Sequence, residues 1–137
     1  LSTFIPGPDL FPTVPGNCKN YDAPGSIRHV SIEVFENHAE IYYTRIGDAP
    51  EIILKSRIEL KGNWQDWRAG PPQEVMRPEQ EWEGASLPVK PSLFGKTSEP
   101  VHQLRDPDIF RDADGTRYLV YAAAGEHAIG LARLDSA

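Results

Sequence analysis

From Arg28 onward the chain alternates. In "HVSIEVFE" (residues 29–36) Val30, Ile32 and Val34 fall on one face and Ser31, Glu33 and Phe35 on the other, the period of two expected of a strand. After an Asn-His turn, "AEIYYTRI" is rich in β-branched and aromatic residues; "GDAP" turns the chain again, and "EIILKSRIEL" supplies a third strand. These predict a three-stranded antiparallel meander, with "QEVM" at residues 73–76 as a fourth, outer strand. The pattern resumes at Arg105: "RDPDIFRD", an Asp-Gly turn in "ADGT", then "RYLVYAAAG" and "HAIGLARL". Residues 1–27 hold a cluster of prolines without periodicity and predict an extended arm, one whose Phe4, Ile5, Leu10, Phe11 and Val14 pack on something.

Placing Arg28 over Arg105 aligns "RHVSIEVFENHAEIYYTR" with "RDPDIFRDADGTRYLVYAA" with about one residue of insertion. Both segments run strand, polar turn, aromatic-rich strand, Gly-acid loop, aliphatic strand. Two such units in tandem mark a repeat architecture, each unit being a small sheet that cannot bury its faces alone. The expected fold is all-β: β-propeller-like, antiparallel four-stranded meander blades. The expected divisions are an arm over 1–27, a first blade with its connection over 28–98, and a second blade over 99–137. A sandwich of seven or eight strands fits the same strand count.

Composition narrows the function classes. The 137 residues carry 39% hydrophobic and 25% charged side chains, enough for a core, and 13 Pro with 11 Gly favour short strands over long helices. A net charge of −6 disfavours nucleic acid and anionic membrane as main partners, since both require a basic face. Cys18 is the single cysteine, which excludes an internal disulfide and a Cys-based zinc site. No apolar run approaches the roughly 18 residues of a membrane span. No leader pattern precedes the first segment, so the expectation is a soluble protein, cytoplasmic rather than secreted. No metal and no cofactor is expected; "DADG" lacks the spaced oxygens of a calcium loop and reads as a hairpin turn.

The segment "QLRDPDIFRDADGTRYLVYAAAGEHAIGLARL" resembles the five-bladed β-propeller glycoside hydrolases of family 43 and their relatives. There a blade opens on an Asp-Pro strand, followed by an acidic-Gly turn and an aromatic "YL-Y" strand. "TRIGDAPEIILKSRIEL", "NWQDW" and "RPEQEWEGASLPVKPS" are similar to the same clan, so the likeness spans residues 28–135. It implies about two blades of five: a portion of a longer protein, or copies that associate to complete the ring. It also implies a carbohydrate ligand, and either glycoside hydrolysis or a non-catalytic binding or structural role.

Glycoside hydrolysis uses two carboxyl groups. The resemblance implies that Asp106, held by Pro107 at the start of an inner strand, is one of them. Glu83 in "EWEGA" resembles the Glu-Gly-Pro sequence that carries the family's general acid, with Ala85 where proline is usual. Trp82 beside it offers a stacking face for a sugar ring. His29 occupies the position of Asp106 in the other repeat, where an imidazole can hydrogen-bond a sugar hydroxyl. Arg28 and Arg105 precede those two residues and are candidate substrate contacts; in an ideal strand Arg105 alternates to the face opposite Asp106. Asp48 and Glu126 stand at matching places after the second strand of each unit, where both can face one mouth; turn chemistry explains them equally. Trp64 and Trp67 are expected to pack between blades.

Overall fold

The computed structural model describes residues 3–13 and 24–135, so Val14 and Cys18 lie outside the described residues. Among the described residues, seven strands form two antiparallel sheets. The first sheet orders β1 (Ile27–Val34), β2 (His38–Arg45), β3 (Ile53–Glu59) and β4 (Gln73–Met76) side by side. The second orders β5 (Arg105–Arg111), β6 (Arg117–Ala123) and β7 (Ala128–Leu134). Neither sheet closes on itself. The second has three strands, not the four that the repeat predicts. Among the described residues the only helical turns are 3-10 segments at Trp64–Asp66 and Glu81–Glu83, and no helix is long and apolar enough to cross a membrane.

Each strand forms where the alternation places it, and the registers decide which face it buries. Ile32 pairs with Ile41 and Val34 with Ala39, while Tyr43 pairs with Leu54 and Ala39 with Ile58. These residues therefore share one face of the first sheet. Ile41, Tyr43, Leu54 and Ile58 are buried there beneath Leu10 and Phe11 of the arm and Trp67 and Ala69 of the segment after β3. Phe11 meets Tyr43 edge-on at 5.3 Å, and the Ala69 N–H donates to the Leu10 carbonyl. The arm thus docks on the sheet through the apolar residues that set it apart from a polar linker. Trp67 belongs to this outer cluster, and Trp64 lies against Gly7. Neither tryptophan lies in the core between the two sheets: the segment that carries them folds back over the opposite face of the first sheet.

The core between the sheets is built from Ile53, Leu104, Leu119, Tyr121 and Ala123, with Val75, Met76, Ile109 and Ala132 packed around them. β1 and β5 run close together in this stack, and a polar seam joins them. Ser31 donates to Asp108 Oδ1 at 2.9 Å and accepts from the Ile109 N–H. Further along, Arg111 and Arg117 of the second sheet reach Glu33 of the first at 2.6 and 2.7 Å. Both guanidinium groups also lie over the Phe35 ring, at 5.3 and 5.2 Å from its centre, within cation–π range. The Asp-Gly stretch is a hairpin turn: the Gly115 N–H donates to the Asp112 carbonyl, and the Asp112 N–H to Thr116.

Candidate functional site

β1 and β5, edge strands of the two sheets, begin with the same interruption. The β1–β2 register shifts between Arg28 and Ser31, and the β5–β6 register shifts between Arg105 and Asp108. At each bulge one non-glycine residue takes a left-handed conformation, His29 with φ 55° and Asp106 with φ 48°. That region costs an L-residue energy, though His and Asp are among the types that tolerate it, and such outliers gather where a side chain must be aimed. The bulges bring the two side chains together: His29 Nε2 lies 3.3 Å from Asp106 Oδ1, and His29 Nδ1 lies 3.2 Å from Thr44 Oγ1. Asp106 remains half exposed, at 49%, and His29 at 26%.

Behind this pair lies a buried ionic cluster. Glu51, fully buried ahead of β3, accepts from Arg28 Nε at 2.9 Å and also from Arg28 Nη2. Its Oε2 faces Arg105 Nε at 3.2 Å, off the line of a hydrogen bond. Arg105 Nη1 donates to Glu126 at 2.9 Å and Nη2 to Gln103 at 2.6 Å. Segment 92–95 crosses the same cluster: the Leu93 carbonyl accepts from Arg28 and the Gly95 carbonyl from Arg105, both at 3.2 Å. Removing two guanidinium groups from water is costly unless their donors are met, and here carboxylates and carbonyls make the described contacts except at Arg105 Nε, which has only the Coulombic attraction of Glu51.

This placement revises several expectations. The bulge breaks the alternation that would send Arg105 to the opposite face, so its guanidinium turns inward and is fully buried, its Nη donors spent on Glu126, Gln103 and the Gly95 carbonyl while Nε has no hydrogen-bond acceptor. Arg28 is almost as enclosed. Glu126 is drawn into the cluster, whereas Asp48 pairs with Arg45 at 3.1 Å and connects to segment 92–95 through its carbonyl and the Ser92 N–H. Of the residues named from sequence, His29 and Asp106 offer polar atoms to solvent side by side. Glu51 is the one the sequence does not single out. It opens the strand-like "EIIL", and nothing local announces a partner 23 residues away.

Glu83 is elsewhere and differently employed. It is 3% exposed, accepts from the backbone N–H groups of Glu79 and Gln80 at 2.8 and 2.9 Å, and accepts from the Tyr121 hydroxyl at 2.6 Å. Burial by itself would raise its pKa. The three hydrogen bonds outweigh burial and hold the carboxyl below the usual glutamate range, while the Tyr121 hydroxyl is pushed up. A general acid needs the opposite shift. Glu83 closes the 3-10 turn at Glu81–Glu83 as a capping carboxylate, its carbonyl accepting from Ala124 N. Trp82 stacks near Tyr121 at 6.3 Å, and these residues line a cleft of about 410 Å³ with Met76 and Arg77. Among the described residues no three His, Cys, Asp or Glu side chains converge as metal ligands do.

The pKa of His29 is lowered. Burial is the main cause, opposed by Asp106 and reinforced by Arg28. The imidazole therefore favours its neutral form near pH 7, in which one nitrogen donates and the other accepts; Nε2 faces Asp106 and Nδ1 faces Thr44.

The chain is 45% identical over 111 residues to an uncharacterized protein of Acanthamoeba polyphaga mimivirus. The match covers 80% of this chain and 31% of the viral protein, so the chain spans less than a third of that relative's length. No family model matches the chain, and no solved structure matches it.

Proposed function

We propose that the two sheets are adjacent blades of a β-propeller-type assembly that binds a neutral oligosaccharide at the His29–Asp106 pair. The observation that carries this reading is the repeated bulge, which aims two unlike polar side chains at one spot. A carboxylate that accepts beside an imidazole that donates or accepts suits the paired hydroxyls of a sugar. The ionic cluster behind them anchors Arg28 and Arg105, the residues that precede the pair, and so favours a preorganised site with a lower ordering cost of binding. The net charge of −6 favours an uncharged ligand over a polyanion. The resemblance of the Asp-Pro strand to family 43 supports the same ligand class.

Binding is better supported than hydrolysis. Cleavage of a glycosidic bond needs two carboxyl groups on either side of it. Glu83 is sequestered as a cap, so a hydrolytic site built on Asp106 requires a second acid other than Glu83. The test is calorimetric titration with arabino-, xylo- and fructo-oligosaccharides, on wild type and on Asp106→Ala. Saturable binding by wild type that falls at least tenfold in the variant supports the proposal. Equal binding by both, or no binding to any of the three classes, overturns it.

A further inference from the structure

The two repeats differ in what stands across from the bulge. Arg28, at the edge of the first bulge, pairs with Thr44 of β2, whereas Arg105, at the edge of the second, pairs with Ala122 of β6. The repeat that carries His29 therefore supplies a hydroxyl beside it, and the repeat that carries Asp106 supplies a methyl group. Thr44 is fully buried on an interior strand, and its hydroxyl lies 3.2 Å from His29 Nδ1. A β-branched side chain has few χ1 choices, so that oxygen is held in place.

That geometry decides where the imidazole proton sits. Arg28 and Arg105 oppose a second proton on the ring, Asp106 and Glu51 favour it, and burial tips the balance to the neutral form. An aspartate carboxylate only accepts, so the ring nitrogen that faces it at 3.3 Å is favoured as an N–H, whereas a lone pair there is repelled. A threonine hydroxyl can donate or accept and meets whichever form of nitrogen is left to it. With the proton on Nε2, the Thr44 hydroxyl donates to Nδ1, and both ring nitrogens are engaged within the protein. Asp106 is half exposed, so the group of the pair that meets a ligand is its carboxylate.

We propose that Thr44 is a positioning residue for this site: its hydroxyl donates to His29 Nδ1, holds the neutral ring as the Nε2–H tautomer and turns that N–H toward Asp106, which is left to accept from the ligand. His29 is then a support for Asp106, and the arrangement selects a ligand that brings hydrogen-bond donors, as the hydroxyl groups of a sugar do. This consequence for the ligand rests on the oligosaccharide reading above; the tautomer does not.

The test compares wild type with Thr44→Val, which keeps the branched shape without the hydroxyl, and with Thr44→Ser, which keeps the hydroxyl. Circular dichroism checks that each is folded. Long-range proton–nitrogen NMR at about pH 8, above the free-histidine midpoint of about 6.5, is expected to show His29 of wild type protonated on Nε2. In Thr44→Val the Nδ1 resonance is expected to move toward that of a nitrogen accepting no hydrogen bond, and in Thr44→Ser to stay near its wild-type position. A wild-type ring protonated on Nδ1 overturns the proposal and needs no variant, so it decides even if Thr44→Val does not fold. An Nδ1 resonance that is the same in all three proteins also overturns it. For whichever arabino-, xylo- or fructo-oligosaccharide binds wild type, calorimetry is expected to show affinity about three- to tenfold lower in Thr44→Val, the weight of one hydrogen bond, and recovered in Thr44→Ser. Unchanged affinity in Thr44→Val overturns the positioning role. If no such sugar binds wild type, the oligosaccharide reading falls, and the nitrogen resonances decide the Thr44 assignment by themselves.

Discussion

His29 Nε2 and Asp106 Oδ1 lie 3.3 Å apart although 77 residues separate them in the chain, because each occupies the same left-handed bulge in its own repeat. Asp106 raises the imidazole's pKa while burial, the larger effect, lowers it. Replacing Asp106 by Asn removes the raising contribution, so the His29 midpoint is expected to fall further. Proton–nitrogen NMR titration of the imidazole measures it directly, and an unchanged or higher midpoint contradicts the pairing.

The same titration has a sign in stability. A histidine whose folded pKa lies below its unfolded value of about 6.5 binds more protons when unfolded. Its contribution is present above that pH and is lost as pH falls. Urea midpoints measured from pH 7 downward are expected to fall less in His29→Asn than in wild type.

Glu51 holds the two repeats' arginines together from full burial. Glu51→Gln keeps the shape and removes the charge, leaving Arg105 buried beside an uncharged amide. Breaking a buried pair in this way costs about 3 kcal/mol or more. Equilibrium urea unfolding measures the loss, and a change below about 1 kcal/mol would show that the cluster is not coupled. Combining Glu51→Gln with Arg28→Gln should cost less than the sum of the two.

Glu83 gives a second pH signature. Its folded pKa lies below the unfolded glutamate value of about 4.3, so its stabilisation is present above that pH and is lost as pH falls through the folded pKa. Glu83→Gln is expected to unfold more readily at pH 7 and to show a flatter acid limb below about pH 4.5. Parallel acid limbs in the two proteins would remove the capping role.

Gly130 pairs across the sheet with Tyr121, and a Cβ there would lie 2.6 Å from the Tyr121 hydroxyl and closer still to its ring. The ring cannot yield without releasing Glu83, which accepts its hydroxyl. Gly130→Ala is therefore expected to destabilise by about 1–3 kcal/mol, the usual cost of overpacking. Thermal melts of Gly130→Ala and of Gly130→Ala with Tyr121→Phe separate clash from lost hydrogen bond. If the single variant melts like wild type, the close approach is not enforced.

What the sequence determined by itself is local in origin. Alternation in "HVSIEVFE" and "RYLVYAAAG", together with Gly-Asp and Asp-Gly turns, depends on neighbours a few residues apart, and so all seven strands are legible in it. So is the repeat that pairs Arg28 with Arg105. The tertiary structure alone decided which face each strand buries. Val30, Ile32 and Val34 look like a buried stripe, yet Ser31 and Glu33 face the second sheet, because Arg111 and Arg117 wait there to neutralise the carboxylate. It also decided that Arg105 turns inward to Glu51 and that Glu83 caps a turn against Tyr121. Those outcomes depend on charges brought together from 23 to 84 residues apart, and no local pattern records a partner at that distance.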